Sequence, residues 1–261
     1  MQLSSEISAV VTGAASGLGA ATARALAAKS VRVAVCDINE SEGAAVAKEI
    51  GGVFVRCDVT DEASVKAAFA AARAAHGQER ILVNCAGIAV GKRITRKVKE
   101  SGAIEPHDLA TFARVIQINL VGTFLMVANA TAGMVGLKPL GPDNERGVVI
   151  MTASVAAEDG QMGQVAYAAS KGGVAAMTLP LARDLHRDGV RVVSILPGLF
   201  ETPMFAGLPD EARASLAASV PFPARLGKPV EYGQLAVHIC ENVMLNGETI
   251  RLDGAIRLAL R

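Results

Sequence analysis

A glycine-rich turn near the start of the chain limits the possible folds more than any other feature. Residues 7–12 have the apolar pattern of a short buried strand. Gly13-Ala-Ala-Ser-Gly17-Leu-Gly19 follows and leads into an alanine-rich helix that reaches about Lys29. Glycines let a backbone turn sharply and approach a pyrophosphate, whose charge is received by the N–H groups and dipole of a helix N-terminus. An ordinary glycine-rich turn is the alternative, but the strand–turn–helix setting favours a dinucleotide site.

Strand and helix patterns alternate through the rest of the chain. Strands are predicted at 31–36, 53–57, 81–84, 147–153, 190–196 and 248–253, and helices at 41–50, 62–76, 108–135 and 161–187. Such alternation predicts an α/β fold, a Rossmann-type doubly wound parallel sheet of about seven strands with helices on both faces. We expect residues 1–261 to form a single domain, without a linker or an internal repeat.

Polar residues follow three of the predicted strands. Asp37 lies about 20 residues beyond the glycines, where a carboxylate accepts the ribose hydroxyls of NAD and repels the 2′-phosphate of NADP. Ile38 and Asn39 supply no cation for that phosphate, so NAD is the predicted cofactor. Asp58 could meet the adenine amino group, and small residues after Asn84 allow close approach at the carboxyl edge of the sheet. A plain turn or cap is the alternative role for Asp58 and Asn84.

A tyrosine and a lysine four residues apart provide the candidate acid/base pair. Tyr167 and Lys171 share one face of a predicted helix. A phenol titrates near ~10, and a nearby ammonium favours its ionised form. Ser154 ends the strand before this helix and could hold a carbonyl or hydroxyl oxygen. Asn119, in the middle of an apolar helix, needs a buried partner.

Composition excludes several classes of protein. A hydrophobic fraction of 51% and a formal net charge of +1 argue against nucleic acid or an acidic membrane surface as the main partner. Four cysteines in apolar runs and the lack of a recognisable leader favour reduced thiols and a cytoplasmic location, and the four histidines show no metal-ligand spacing. The uncharged run from Leu120 to Leu137 approaches the length of a membrane span, but a buried helix or a subunit interface is the favoured interpretation.

Two segments are candidate substrate-binding elements. The periodic pattern fades over residues 88–107, which contain Lys92, Arg93, Arg96, Lys97 and Lys99. We interpret this insertion either as a site for the phosphates of a large anionic substrate or as a solvated charged loop. Residues 198–225 form an apolar loop, with Phe200, Met204 and Phe205, that is suited to closing over a cofactor and substrate.

Taken together, these motifs resemble the short-chain dehydrogenase/reductase family. The resemblance rests on the glycine-rich turn, Asp58, Asn84-Cys-Ala-Gly87, Asn119, Ser154, Tyr167-x-x-x-Lys171 and Pro197-Gly198. Within the family the chain resembles most the type-2 3-hydroxyacyl-CoA dehydrogenase group, through 83–90, 152–157, 197–200, 221–227 and 245–257. The insertion after Gly91 also resembles that of this group, although its residues match poorly.

The resemblance implies a role for each matching residue. Tyr167 is expected to be the general acid/base, Ser154 to bind the substrate oxygen, Lys171 to lower the pKa of Tyr167 and bind the nicotinamide ribose, and Asn119 to hold a relay water. The residues expected to contact NAD are Gly13, Ser16, Gly17, Leu18, Gly19, Asp37, Asp58, Val59, Asn84, Cys85, Ala86, Gly87, Tyr167, Lys171, Pro197, Phe200 and Thr202. The resemblance also implies a homotetramer built through the long helices and the C-terminal strand.

The predicted activity is NAD-dependent interconversion of L-3-hydroxyacyl-CoA and 3-ketoacyl-CoA. A hydroxysteroid or broad secondary-alcohol dehydrogenase is an alternative with the same chemistry. A protein that binds NAD without catalysis is an alternative of another class, but it predicts a broken catalytic set, whereas Ser154, Tyr167 and Lys171 are all present. A hydrolase built on Ser154 is disfavoured because no Gly-x-Ser-x-Gly surrounds it.

Overall fold

A sheet of seven parallel strands forms the centre of the protein in a computed structural model, which describes residues 1–203 and 209–260. The strands in chain order are β1 (Ser8–Thr12), β2 (Arg32–Asp37), β3 (Val53–Arg56), β4 (Ile81–Asn84), β5 (Thr95–Lys97), β6 (Ile104–Pro106), β7 (Gly147–Thr152), β8 (Val190–Pro197) and β9 (Thr249–Leu252). The sheet order is β3-β2-β1-β4-β7-β8-β9, with every pair parallel. The predicted doubly wound fold is confirmed, and its topological switch point lies between β1 and β4.

Helices cover both faces of this sheet. They are α1 (Gly17–Ala27), α2 (Glu40–Ile50), α3 (Glu62–His76), α4 (Leu109–Ile116), α5 (Gly122–Met134), α6 (Val165–Asp184), α7 (Asp210–Ala218) and α8 (Pro229–Glu241). Alternate residues of each strand serve opposite faces. Val11 packs with Leu26 of α1 and Tyr232 of α8, whereas Val10 packs with the cluster that contains Phe69 and Met126.

The predicted helix over 108–135 contains a local irregularity. A π-helical turn, Gln117–Val121, separates α4 from α5 and carries Asn119. Single π turns inside helices occur often at functional sites. By length and composition, Leu109–Met134 is the one described helix that could cross a membrane, although core helices of soluble proteins pass the same test; 33% of its most apolar window is buried inside the protein.

The insertion at 88–107 has more order than its sequence pattern indicated. β5 and β6 pair as an antiparallel hairpin, with Arg96 opposite Glu105. All six strand residues are exposed, so neither face carries the apolar alternation by which a strand is recognised. Of the predicted substrate loop, residues 204–208, which include Met204 and Phe205, lie outside the described residues.

Candidate active site

The glycine-rich turn brings the start of α1 against the carboxyl ends of β1 and β4. Gly13 has a φ of +62°, and a Cβ there would lie 2.7 Å from the amide nitrogen of Ala86. A Cβ at Gly19 would lie 2.2 Å from the carbonyl oxygen of Gly13, so only glycine fits at this position. Ser16 precedes α1 but makes no side-chain cap hydrogen bond, which leaves the first N–H groups of the helix for a ligand. Gly17 and Leu18 form the first turn itself.

The two predicted carboxylates lie at the ends of adjacent strands. Asp37 accepts hydrogen bonds from the backbone amides of Ala15 and Asn39, both at 3.0 Å, so it is fixed against the glycine-rich turn. Asp58 accepts from the amide and hydroxyl of Thr60, both through Oδ1, and these bonds lower the pKa of Asp58. Within the described residues, Oδ2 has no hydrogen-bond partner, so it could accept from a ligand. Val59, next in the chain, is buried against Gly122 of α5.

The side chain of Thr12 fixes the backbone of the segment that follows β4. Its hydroxyl accepts from the amides of Cys85 and Ala86, at 3.2 Å each. Asn84 is buried, and neither polar atom of its side chain has a partner within the described residues. Unpartnered buried amide groups are rare in proteins, and a polar ligand at this edge would satisfy them.

Asn119 is anchored between this segment and α6. Its Oδ1 accepts from the amide of Ile88 at 2.8 Å, while Nδ2 donates to the Ile88 carbonyl at 2.9 Å and to Ser170 Oγ at 3.0 Å. A Cβ at Gly87 would lie 3.1 Å from Asn119 Oδ1 and 3.5 Å from Lys171 Nζ. Asn119 and Lys171 thus converge on Gly87, where a Cβ would make a tight contact with the Asn119 amide.

Ser154 and Tyr167 form the candidate reacting pair. Ser154 follows β7, and its hydroxyl accepts from the amide of Ala156 at 3.1 Å, which begins a short 3-10 turn. Burial raises the pKa of Tyr167, and a hydrogen bond with the Ser154 side chain lowers it. The two hydroxyl groups therefore lie close together, so that one substrate oxygen could bind both.

Lys171 lies one helical turn beyond Tyr167, but its ammonium points mainly to β7. Nζ donates to the carbonyl oxygen of Thr152 at 2.6 Å and lies 5.9 Å from the centre of the Tyr167 ring. Burial lowers the pKa of Lys171 to about 8. The expected acidifying effect of Lys171 on Tyr167 is not seen in this geometry, because burial of the phenol dominates and Ser154 supplies the opposing effect.

The remaining predicted cofactor contacts lie beyond β8. Pro197 ends that strand, and the ring of Phe200 packs against Gly227, where a Cβ would lie 2.8 Å from the ring. The methyl group of Thr202 would lie 3.4 Å from a Cβ at Gly17. The structure therefore brings Thr202 to the glycine-rich turn.

This fold and site define an oxidoreductase that uses a nicotinamide cofactor, with a tyrosine as its acid/base group. The residues present fit a dinucleotide: the turn admits only glycine at Gly19, the start of α1 is uncapped, and Asn84 is unpartnered at the switch point. The family model described as short chain dehydrogenase matches residues 8–213. The chain belongs to the short-chain dehydrogenase family.

Relatives within this family share almost the whole chain. The human protein named 3-hydroxyacyl-CoA dehydrogenase type-2 is 49% identical, over 96% of this chain and 95% of its own. The Drosophila melanogaster protein of the same name is 50% identical, over 95% and 96%. The crystal structure of 3-hydroxyacyl-CoA dehydrogenase type-2 from Mycobacterium avium has a TM-score of 0.91, with 40% identity and 98% of each chain covered.

Sequence reasoning missed three residues that support the site. Ser170 donates to the Tyr167 carbonyl at 2.8 Å, and Thr152 and Tyr232 form a buried hydroxyl pair beside Lys171. No spacing rule links Thr152 to Tyr232, which are 80 residues apart. The one available signal was that Tyr232 is the second of only two tyrosines in the chain.

Proposed function

We propose that the protein catalyses the reversible, NAD-dependent oxidation of L-3-hydroxyacyl-CoA to 3-ketoacyl-CoA. The observation that carries this proposal is a site with Ser154, Tyr167 and Lys171 in place in a chain 49–50% identical, along almost its full length, to proteins named for that activity. A bound nicotinamide would supply the acceptor for the hydride that leaves the substrate carbon.

The residues of the chain divide the proton chemistry between them. In its phenolate form, Tyr167 takes the proton of the substrate hydroxyl, and the Ser154 hydroxyl donates to the same oxygen as it becomes a carbonyl. Lys171 carries a buried charge beside the tyrosine and is placed to bind the nicotinamide ribose. Asn119 holds Ile88 and Ser170 in place and, in this proposal, borders the water that receives a proton from the Lys171 ammonium as Lys171 takes up the proton released by Tyr167.

The surroundings of Asp37 favour NAD over NADP as the cofactor. The carboxylate is fixed by two backbone amides, and the neighbouring Ile38 is exposed and uncharged. Arg56, opposite Asp37 on β3, pairs with Glu40 at 3.2 Å. A 2′-phosphate would therefore meet a fixed negative charge and a cation that already has a partner.

Measurement of initial rates with a substrate panel tests this function. The panel pairs acetoacetyl-CoA and longer 3-ketoacyl-CoA thioesters with a hydroxysteroid and simple secondary alcohols, each with NAD(H) and NADP(H). We expect the largest kcat/KM with acyl-CoA and NAD(H). A larger kcat/KM with the steroid or the simple alcohols would replace the proposed substrate by the alternative one.

We propose that the insertion at 88–107, which we call the basic hairpin, contacts the phosphates of coenzyme A. Lys92 pairs with Asp108, and Arg96 pairs with Glu105 across the hairpin. Arg93, Lys97 and Lys99 have no ion-pair partner within the described residues. The amide of Lys92, at the base of the hairpin, donates to the carbonyl of Gly163 at 2.7 Å. Gly163 precedes Tyr167 by four residues, so this bond ties the hairpin to the start of the helix that carries the tyrosine.

A homotetramer in the cytoplasm is also proposed. Phe124 of α5 is 49% exposed and lines a shallow apolar groove together with Leu181 of α6, and Leu179 of α6 is 44% exposed. A second copy of the chain would bury this surface. Light scattering after size exclusion should give four chains per particle, and a monomer at micromolar concentration would contradict the assembly.

A further inference from the structure

A buried row of polar groups connects α8 to the ammonium of Lys171. The hydroxyl of Tyr232 lies 2.6 Å from Thr152 Oγ1, and the carbonyl of the same threonine accepts from Lys171 Nζ at 2.6 Å. Tyr232 has no exposed surface, and Thr152 is 8% exposed. None of the roles assigned above involves Tyr232.

We propose that Tyr232 is a positioning residue for catalysis: through the side chain of Thr152, it fixes the carbonyl group that holds Lys171 beside Tyr167. The proposal rests on the proposed function only in using Lys171 as a group that binds the cofactor and assists the tyrosine. Tyr232 itself touches neither the substrate nor the reacting hydroxyls.

The position of Thr152 explains why its side chain matters. It is the last residue of β7, where it lies opposite Ile195 of β8. The amide of Ala153, in the same planar peptide group as this carbonyl, donates to the Ile195 carbonyl at 2.9 Å. The side chain of Thr152 therefore adds a second restraint on the carbonyl, from the side of α8. A β-branched residue has few χ1 states, and a short hydrogen bond to a buried phenol selects one of them.

Cys85 completes the surroundings of this hydroxyl pair. Thr152 Oγ1 lies 3.5 Å and Tyr232 Oη 3.9 Å from Cys85 Sγ. The thiol comes from the segment after β4 that carries Ala86 and Gly87. Removal of one hydroxyl would leave the other in a buried site with only a weak sulfur partner, which is unfavourable. The pair therefore links three separate elements, α8, β4 and β7, to one ammonium.

Two variants that each remove one hydroxyl group test the proposal. Tyr232→Phe keeps the ring, and Thr152→Val keeps the branched shape. We expect each to lower kcat about tenfold, or about 1.4 kcal/mol in the barrier, with little change in the KM for acyl-CoA. The double variant should be no worse than either single one, because both break the same link. Thr152→Ser, which retains a hydroxyl, should recover most of the rate.

A second readout does not depend on any substrate. NADH affinity, measured by fluorescence titration, should weaken as the pH rises through the pKa of Lys171, which burial has lowered to about 8. The titratable groups that face Lys171 are Tyr167 on α6, Cys85 after β4 and, through Thr152, Tyr232 on α8. In both variants the Thr152 carbonyl should be oriented less favourably towards Lys171, which disfavours the ammonium and lowers the pKa of Lys171 further. The loss of NADH affinity should therefore begin at a lower pH than in the wild type.

Thr178→Val is the matched control. Thr178 Oγ1 and Ser194 Oγ form another buried hydroxyl pair, at 2.7 Å, about two turns further along α6. This variant should lose stability without a change in kcat or in the pH dependence of NADH binding. If Tyr232→Phe and Thr152→Val behave as Thr178→Val does, the positioning role is wrong and Tyr232 only packs. If the wild type binds NADH normally but does not turn over acyl-CoA, the proposed substrate fails while the binding readout still tests Tyr232.

Discussion

The acid/base centre and the basic hairpin are built in opposite ways. Lys171 and Ser154 are buried, at 5% and 7% exposure. Lys171 donates to the carbonyl of Thr152, whose side chain bonds Tyr232, 80 residues further along the chain. The strand residues of the hairpin, Thr95–Lys97 and Ile104–Pro106, are exposed, and the Arg96–Glu105 ion pair joins residues only nine apart. The acid/base centre is therefore fixed by packing and hydrogen bonds within the core. The hairpin is attached to the rest of the protein mainly at its base, through Lys92 and Gly163.

This difference separates chemistry from substrate recognition. Groups that exchange protons need fixed positions to within fractions of an ångström, which a packed core provides. Phosphates carried on a flexible arm need only a suitable charge at the right distance, which exposed side chains provide. We therefore expect substitutions at the buried centre to change kcat and substitutions on the hairpin to change KM.

The largest effect is expected from removal of the phenol hydroxyl. Tyr167→Phe should lower kcat about 10³-fold, because general acid/base catalysis contributes about that much. NADH affinity, measured by fluorescence titration, should change little, since the ring remains. Retention of more than a tenth of the wild-type rate would exclude Tyr167 as the acid/base group. Its steady-state rate is best compared with that of Tyr232→Phe, which removes the only other phenol.

The next effect concerns the turn that receives the dinucleotide. In Gly19→Ala the new Cβ would lie 2.2 Å from the Gly13 carbonyl oxygen, so the turn must shift. Overpacking of this kind costs about 1–3 kcal/mol, and we expect both the Tm and the NADH affinity to fall. Gly136→Ala is the control, because a Cβ there would come no closer than 3.6 Å to another group. Equal behaviour of the two variants would mean that the turn is not constrained.

Prediction from sequence succeeded where residues repeat a buried pattern. The strands Ile81–Asn84 and Gly147–Thr152 are fully buried apolar runs, and their position in a parallel sheet follows from the alternation with helices. The hairpin was not predicted, because its short exposed strands have no apolar face. The link from Tyr232 to Lys171 was not predicted either, since it joins residues that only the tertiary fold brings together.

Charge reversal on the hairpin should sharpen the contrast with the centre. Replacement of Arg93, Lys97 and Lys99 by glutamate should raise the KM for acetoacetyl-CoA about tenfold, which is about 1.4 kcal/mol, at nearly constant kcat. The KM for the N-acetylcysteamine thioester, which lacks the phosphates, should not change. Arg187→Glu, at the opposite edge of the sheet, is the control. An unchanged KM for acetoacetyl-CoA would leave the hairpin as a solvated charged loop.

The smallest effect is expected on stability. Removal of the lysine charge should change the Tm in a pH-dependent way at the acid/base centre but not on the hairpin. Burial lowers the pKa of Lys171 from its usual 10.5 to about 8, so the folded protein binds this proton less tightly than the unfolded chain does. The buried ammonium therefore opposes folding fully below pH 8, and this cost declines as the pH rises from 8 towards 10.5.

Lys171→Met should raise the Tm at pH 7 by a few degrees, with a smaller gain at pH 10, although it removes activity. Lys97→Met on the exposed hairpin should show no such pH-dependent gain, because its ammonium remains in water. A Tm gain for Lys171→Met that is equal at both pH values would show that the lysine is not held as a desolvated charge.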